Sequence, residues 1–395
     1  MDKIGLENAL FGLSSSCLGC ASPRCEVFCH CHLPHKKLNA LIKEKKFEEA
    51  SSLLYDSNPF PELTLALCDC LSGAKGNCIK GKINTPIETK EIEKLLSSYP
   101  FPYDIPTKNN KKVAIIGAGP AGCSLAYFLV KKGYGVTIFE KNPCIGGAIY
   151  NYIPRFRFDI SILDEVKSKL DRLGVEFCFN YFCDKEKLDE LKSEFDYVYI
   201  CIGNNLSRQI PYSSSRIVYG LDYLTRSIHS SFRYNKEDGF VVYGGGNVAF
   251  DCANSLLRNG HKVTLLYRRD FASMPANKDE IETAIKLGIS FCFTSVVSSI
   301  NENSDGLSIE TIKTKLGKLV NGRTSFENTD VKGDTLNCSY LITCIGQKSD
   351  YDLFKIANPF RQIDKNVYLV GDYFYGSKTI GDAINDGKVA SHLID

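Results

Sequence analysis

An α/β protein follows from three observations: two copies of one strand–glycine loop–helix–strand unit stand behind a cysteine-framed helical region. Residues 112–140 read KVAIIGAGPAGCSLAYFLVKKGYGVTIFE. Residues 241–269 read VVYGGGNVAFDCANSLLRNGHKVTLLYRR and repeat the plan. Eight of the 17 cysteines fall before position 80. An internal echo of this length is an architectural signal, because each copy is one supersecondary unit. At 395 residues the chain has room for two to three domains.

The first domain is expected over residues 1–98. Cys17, Cys20, Cys25 and Cys29 open it, Cys31 follows, and Cys68, Cys70 and Cys78 come later. Between them residues 36–55 carry Leu38, Leu41, Ile42, Phe47 and Ala50 among charges, which predicts helix in one or two pieces. A turn at Asn58-Pro59-Phe60-Pro61 and a helix over 88–96 complete the region. A dense thiol cluster in a reducing compartment favours metal over disulfides. Iron–sulfur clusters need soft thiolates, and the opening run resembles the ferredoxin spacing with one extra residue in its middle gap. A zinc site drawing on His30, His32 or His35, or thiols without metal, are the alternatives.

Residues 99–110, YPFPYDIPTKNN, form a proline-punctuated linker. The first repeat unit then begins with a β-branched strand over 113–116. Gly117, Gly119 and Gly122 follow as G-x-G-x-x-G, with Pro120 and Ala121 inside the loop, then a helix over 123–132 and a strand over 136–139 ending at Glu140. The glycines permit a tight turn and close approach of backbone to a pyrophosphate, and the acidic residue suits ribose hydroxyls. Rossmann-like dinucleotide binding is the reading; a glycine turn that only packs helix on sheet is the bland one. Residues 197–203 read as a strand ending in Gly203.

The second unit carries Gly244, Gly246 and Ala249 as G-x-G-x-x-A, with Asn247 and Val248 in its turn. Aligned on VTIFE, VTLLYRR puts Tyr267 at the acidic position and Arg268 and Arg269 just beyond. Losing the carboxylate and gaining guanidinium groups suits a 2′-phosphate, so NADPH is favoured over NADH. A solvated charged strand end is the plain alternative. Residues 291–340 alternate polar and apolar, an antiparallel region. Residues 340–346 then mirror the earlier strand, ending at Gly346. A strand ending in Gly371-Asp372 and a final helix over 379–393 bring a carboxylate and a helix N-terminus toward a cofactor.

The net charge of +2 comes without acidic or basic blocks, so nothing points to nucleic acid or an anionic membrane. The N-terminus lacks a secretory pattern, and no apolar run approaches the roughly 20 residues that span a bilayer. A soluble, cytoplasmic protein is expected.

The order of motifs resembles the small subunit of glutamate synthase and its relatives, which include the N-terminal half of dihydropyrimidine dehydrogenase and the bacterial subunit supplying it. The resemblance runs from the Cys17 run through GAGPAG, EKNPCIGG (140–147), IPRFR (153–157), GGGNVAFD (244–251), YRRDFASMPA (267–276) and CIG (344–346) to GDYFYGSKTIGDAINDGK (371–388). It implies an α-helical Fe–S domain over 1–98, a split FAD-binding domain over 111–230 and 345–395, and an NAD(P)H-binding domain over 231–344. It implies FAD on the first motif with Glu140, Gly147, Arg157, Gly371, Asp372 and Thr379, and the nicotinamide nucleotide on the second motif with Arg268, Arg269 and Gly346. Two [4Fe–4S] clusters are implied. Cys17, Cys20, Cys25 and Cys78 match one. For the other, Cys29 and Cys68 align, but Ala74 stands where the family has its next cysteine. That set is Cys29, Cys68, Cys70 and Glu93, or all-thiolate with Cys31, or incomplete. The implied activity is electron entry: hydride from NADPH to FAD, then electrons through the clusters to a large subunit or ferredoxin-like acceptor. The cofactors carry the chemistry, so no acid–base dyad is expected.

Two rival readings remain. A pyridine-nucleotide disulfide reductase needs a redox cysteine pair, whereas Cys144 has no neighbouring cysteine and Cys252 stands alone in sequence. A non-catalytic nucleotide-binding scaffold with a zinc knot is the other, and metal content separates it from the first reading.

Overall fold

The computed structural model describes residues 2–69, 72–104, 106–230, 233–320 and 323–394. The chain divides into two compact units, one of Met1–Tyr150, Phe156–Asn204 and Ser349–Asp395, the other of Asn151–Arg155 and Asn205–Lys348. Among the described residues no helix is long and apolar enough to cross a membrane.

The first unit joins the helical region to a six-stranded sheet. Its helices are Lys3–Ser15, His35–Lys43, Phe47–Tyr55, Pro61–Leu67 and Thr89–Leu96, with a single turn at Arg24–Val27. The helix expected over 36–55 is two pieces, because Lys45 turns left-handed (φ 61°) between them. Leu38, Ile42, Ala50 and Leu54 line the buried face of that pair, as their helical spacing requires. The opening helix Lys3–Ser15 is not marked by a strong apolar stripe. Asp2 starts it by accepting from Gly5 N at 2.9 Å. Residues 99–104 are irregular but packed: Phe101 meets Tyr55 and Tyr127 edge-on, and Arg172 stacks 3.5 Å over Tyr103.

The sheet runs Gln362–Asp364, Val367–Leu369, Tyr197–Ile200, Lys112–Ile116, Gly135–Phe139, Glu176–Cys178, parallel except at its first edge. Lys112–Ile116 is central, and residues 113–116 are buried on both faces, which explains the uninterrupted apolar run. The chain leaves this strand in one direction and returns on its other side, so the glycine loop sits at a topological switch point.

The second unit holds a five-stranded parallel sheet, ordered Ile217–Tyr219, Tyr340–Thr343, Gly239–Tyr243, Lys262–Tyr267, Ser290–Phe293. The helix Asn247–Arg258 packs Phe250, Ala253 and Leu256 onto Phe240, Val242 and Leu265. An antiparallel meander of Ser295–Asn303, Gly306–Val320 and Arg323–Cys338 matches the alternation read over 291–340.

In the first unit the helix Ile380–Ala390 lies backbone to backbone on Pro120–Val130. A Cβ on Gly387 would stand 2.5 Å from Ala121 O and 2.7 Å from Leu125 N, and Ser124 Oγ donates to Ile384 O at 2.7 Å. Gly387→Ala is therefore expected to lower stability by about 1–3 kcal/mol, the usual range for forcing atoms into a packed contact. Denaturant unfolding of the variant beside the parent measures this, and an unchanged midpoint would show that the two helices can separate freely.

Candidate functional site

Both glycine loops solve the same steric problem. At the end of its central strand Gly117 takes φ +106°, and a Cβ there would lie 2.7 Å from Cys201 O on the neighbouring strand. Gly244 takes φ +148°, and its Cβ would lie 2.3 Å from Cys344 O. The hydrogen bonds correspond: Gly117 N donates to Phe139 O and Gly244 N to Leu266 O, while Cys201 N donates to Ile116 O and Cys344 N to Tyr243 O. The two Cys-Ile-Gly segments, ending at Gly203 and Gly346, are thus the second wall of each loop. Gly119 caps the helix Pro120–Val130, which starts on Pro120 and Ala121, and Gly246 caps Asn247–Arg258, which starts on Asn247 and Val248. Both helix N-termini open beside the loops and leave backbone N–H groups for an anion. Gly122 is confined, since a Cβ would fall 2.0 Å from Gly117 O.

Glu140 follows the second strand and is 4 % exposed. Its Oε2 accepts from Ala118 N at 2.8 Å, inside the glycine loop, and Oε1 accepts from Asn142 N and Nδ2. Gly147 (φ +52°) approaches Gly119 so closely that its Cβ would stand 2.9 Å from Gly119 Cα. Arg157 lies half-buried beyond the short helix Ala148–Tyr152.

In the second unit Tyr267 occupies the position of Glu140. Its ring lies against Gly245, whose Cβ would stand 2.6 Å from it, and its hydroxyl donates to Ser273 O. Arg268 and Arg269 both face Phe326 of the meander, at 4.6 and 5.4 Å from the ring centre, and Arg269 Nε donates to Thr324 O. Among the described residues no carboxylate lies within ion-pair distance of either guanidinium. Burial and the neighbouring Arg269 pull Arg268 down from its usual value, with Arg323 adding to the effect. Arg323 was invisible to motif reading because it arrives on a hairpin more than fifty positions downstream. Cys252 corrects a second expectation. It is not alone: Cys344 Sγ–H points at Cys252 Sγ at 3.8 Å across 92 residues of sequence, on adjacent elements. Burial and that thiol push Cys252 well above its normal range.

In the first unit Cys17, Cys20, Cys25 and Cys78 line one pocket, together with Leu18, Arg24, Lys36, Lys80, His35, Asn39 and Thr89. Burial, the Glu26 carboxylate and the nearby Cys78 and Cys17 thiols push Cys25 up to about 11. Three buried polar atoms on the lining residues lack any partner: His35 Nε2, Asn39 Oδ1 and Thr89 Oγ1. Soft donors, the nearby Arg24, Lys36 and Lys80 cations and the two unpartnered groups able to donate, His35 Nε2 and Thr89 Oγ1, fit an anionic iron–sulfur cluster, whereas Asn39 Oδ1 only accepts. Among the described residues no three Cys, His, Asp or Glu side chains close on a point at single-ion distance.

The other thiols are less tightly gathered. Cys31 is buried, and Cys29 and Glu93 are among the charges that raise it. Glu93 is on the buried face of Thr89–Leu96, and Cys68 ends Pro61–Leu67. Ala74 is buried, and Cys70 lies outside the described residues. His30, between Cys29 and Cys31, pairs through Nδ1 with Asp382 at 3.1 Å, and Cys31 Sγ points to Gly381 O at 3.7 Å. The N-terminus of Ile380–Ala390 thereby rests on the cysteine loop. Thr379 caps that helix in a capping box with Asp382. Gly371 N donates to the buried Asp386 at 2.6 Å, and Asp386 is held by both terminal nitrogens of Arg361 at 2.8 Å. Asp386 was missed in sequence because a charge on an apolar helix face has no motif.

Asp372, next to Gly371, accepts from Lys378 N at 3.2 Å, yet burial pushes its carboxyl up from 3.8 to about 6. A carboxyl raised in the folded state binds its proton more tightly there than when unfolded. Its contribution is full below the unfolded value and is lost as pH rises through about 6. In cofactor-free protein, Asp372→Asn should therefore flatten the loss of stability between about pH 4 and 6.5. Urea midpoints across that range measure it, and parallel curves for variant and parent would disprove the assignment.

Comparison with known proteins agrees with this geometry. Residues 111–387 match the family described as pyridine nucleotide-disulphide oxidoreductase, and residues 7–103 match dihydropyrimidine dehydrogenase domain II, 4Fe-4S cluster. The NAD-dependent dihydropyrimidine dehydrogenase subunit PreT of Escherichia coli is 26 % identical over 96 % of this chain and 92 % of that protein. The glutamate synthase [NADPH] small chain of Halomonas elongata is 26 % identical over 96 % and 88 %. Among solved structures, FprA of Mycobacterium tuberculosis in complex with NADPH shares the fold at TM-score 0.61 and 18 % identity, covering 72 % of this chain and 83 % of its own. The paired glycine loops and the cysteine region in front of them are thus features of a known lineage, and the chain belongs to the pyridine nucleotide-disulphide oxidoreductase family, with an N-terminal domain of the 4Fe-4S type.

Proposed function

We propose that this oxidoreductase is an electron-entry module that oxidises NADPH and passes the electrons to a separate protein. In this reading residues 1–98 hold the iron–sulfur clusters, 111–204 with 349–395 hold FAD, and 205–348 hold the nucleotide; residues 205–230, expected with FAD, go with the nucleotide because their strand Ile217–Tyr219 pairs in the second sheet. The observation that carries it is the company kept by the glycine loop of Gly117. The four-cysteine pocket belongs to the same compact unit, and the helix Ile380–Ala390 touches the loop of His30 and Cys31 directly. Both full-length relatives are named as a subunit or small chain, which supports an acceptor on another polypeptide. Their names differ in nucleotide, one NAD and the other NADPH. The preference for NADPH rests on Arg268 and Arg269, two guanidiniums without a carboxylate partner where an NAD site would carry an acid.

When bound, the flavin and clusters supply the redox chemistry, converting a hydride into single electrons. The chain's own work is binding and orientation. Gly117, Gly119 and Gly122, with Pro120 and Ala121, would admit the FAD pyrophosphate to the helix N-terminus. Glu140, already aimed by Ala118 N, would take the adenosine ribose. Gly147, Arg157, Gly371, Asp372 and Thr379 would line the rest. Gly244, Gly246, Asn247, Val248 and Gly346 would form the corresponding cradle for the nucleotide. Cys17, Cys20, Cys25 and Cys78 would hold one cluster. Cys29, Cys68 and Cys70, with Glu93 or with Cys31 as the fourth ligand, would hold the other, unless that set is incomplete.

A disulfide reductase is the second reading, favoured by the contact between Cys252 and Cys344. Against it, burial keeps Cys252 protonated at neutral pH, and the thiolate is the reactive form.

Anaerobic purification with flavin, iron, sulfide and zinc measured together tests the proposal. FAD with about eight irons per chain, four for each cluster, and bleaching of the flavin band by NADPH are expected. About four irons would remove the second cluster from the proposal, and zinc without iron would overturn the electron-transfer reading. Replacing Arg268 and Arg269 with Gln should raise KM for NADPH roughly ten- to a hundredfold, the worth of a charged hydrogen bond, while KM for NADH changes little. Equal effects on both nucleotides would refute the 2′-phosphate assignment.

A further inference from the structure

We propose that His35 donates its Nε2–H to a sulfur of the cluster held by Cys17, Cys20, Cys25 and Cys78, and that this hydrogen bond raises the cluster's reduction potential. The inference rests on the iron–sulfur reading above and deepens it.

His35 is the first residue of the helix His35–Lys43, directly after Pro34. That position fixes its ring against the pocket, because Pro34 sets the entry angle and Asn39 Nδ2 clamps the first turn by donating to His35 O at 2.7 Å. The side chain is 3 % exposed and lines the same pocket as the four cysteines. Its Nε2 finds no partner in the protein. A buried polar group left without a partner is destabilising, so an unsatisfied imidazole nitrogen on the wall of a thiol-lined pocket calls for something in the pocket that accepts from it. The neutral ring protonated on Nε2 and the imidazolium both present an N–H at that atom. The acceptors on this wall are the cysteine sulfurs and Asn39 Oδ1, and Asn39 Oδ1 makes no hydrogen bond to His35 Nε2.

A second donor stands on a different element. Thr89 begins the helix Thr89–Leu96, is 2 % exposed, lines the same pocket, and its Oγ1 is also without a partner. Two unpartnered polar side chains, brought from two helices to one set of cysteines, are what a cluster with hydrogen-bonded sulfurs would require. Hydrogen bonds to cluster sulfurs stabilise the more negative, reduced form and so move the potential upward. His35 is a positioning and tuning residue in this account, while the four cysteines are the ligands.

The test compares parent, His35→Leu, His35→Gln and Thr89→Val proteins, each purified anaerobically and assayed for iron and sulfide. Redox titration followed by electron paramagnetic resonance then gives the midpoint. His35→Leu should retain iron and shift the reduction equilibrium about tenfold toward the oxidised form, about 59 mV for one electron. His35→Gln, whose side-chain amide can still donate, should stay close to the parent, and Thr89→Val should shift in the same direction as His35→Leu. Pulsed resonance on the reduced parent labelled with 15N-histidine should show one imidazole nitrogen coupling that is lost in His35→Gln. An unchanged midpoint in an iron-loaded His35→Leu protein, or no such coupling in the parent, overturns the inference while leaving the clusters in place. Iron lost from both His35 variants makes the residue a ligand or a structural support and also overturns it. A parent protein without iron and sulfide overturns the underlying reading instead.

Discussion

The architecture depends on a place where backbone must pass backbone. At the end of each central strand a glycine comes so close to a carbonyl of the adjacent strand that no side chain fits: Gly117 against Cys201 in one unit, Gly244 against Cys344 in the other. This contact turns the chain sharply from strand into helix, and it aims the N-termini of Pro120–Val130 and Asn247–Arg258 across the sheet edge. A loop set further from the sheet would carry the same residues without aligning those N–H groups on one anion. The two units reach this arrangement with matching hydrogen bonds and part ways only one strand later, where Glu140 ties back into its loop and Tyr267 fills the equivalent space with a ring.

What was legible in the sequence is what local chemistry dictates. The glycines of the two loops, the acid after the second strand and the start of the last helix at Thr379 all leave a trace within a few residues of themselves; the left-handed Lys45 that divides 36–55 and the capping box at Thr379 came only with the structure. What was not legible depends on pairs far apart in the chain. Cys252 and Cys344 meet because the strand before Cys344 pairs with Gly239–Tyr243, on which the helix of the second motif packs, and neither residue carries a signal of the other. Arg323 reaches Arg268 through a hairpin whose register decides the contact. Asp386 reads as an unremarkable helical acid until Arg361 and Gly371 N are seen to converge on it. His30, read in the sequence as a possible zinc ligand, has its partner in Asp382 on the last helix.

Charge is arranged differently in the two units. The first satisfies the buried Glu140 by loop N–H groups and Asp386 by Arg361, and the part-buried Asp382 by His30 and its own helix cap. The second presents cations without carboxylates at the end of Lys262–Tyr267 and spreads them over the face of Phe326. Aromatic support keeps guanidinium groups in place without neutralising them. The first pattern holds a fixed geometry and the second leaves charge available to an anion.

The bond from Cys31 to Gly381 joins residues 350 positions apart. During synthesis at roughly 5–20 residues per second, the cysteine loop leaves the ribosome tens of seconds before the segment that covers it exists. Throughout that interval His30 has no Asp382 and Cys31 has no Gly381 carbonyl above it. The order of assembly is therefore written into the topology: whatever must enter the cysteine loop from outside has its widest access before the final helix is made, and docking of that helix closes the interval.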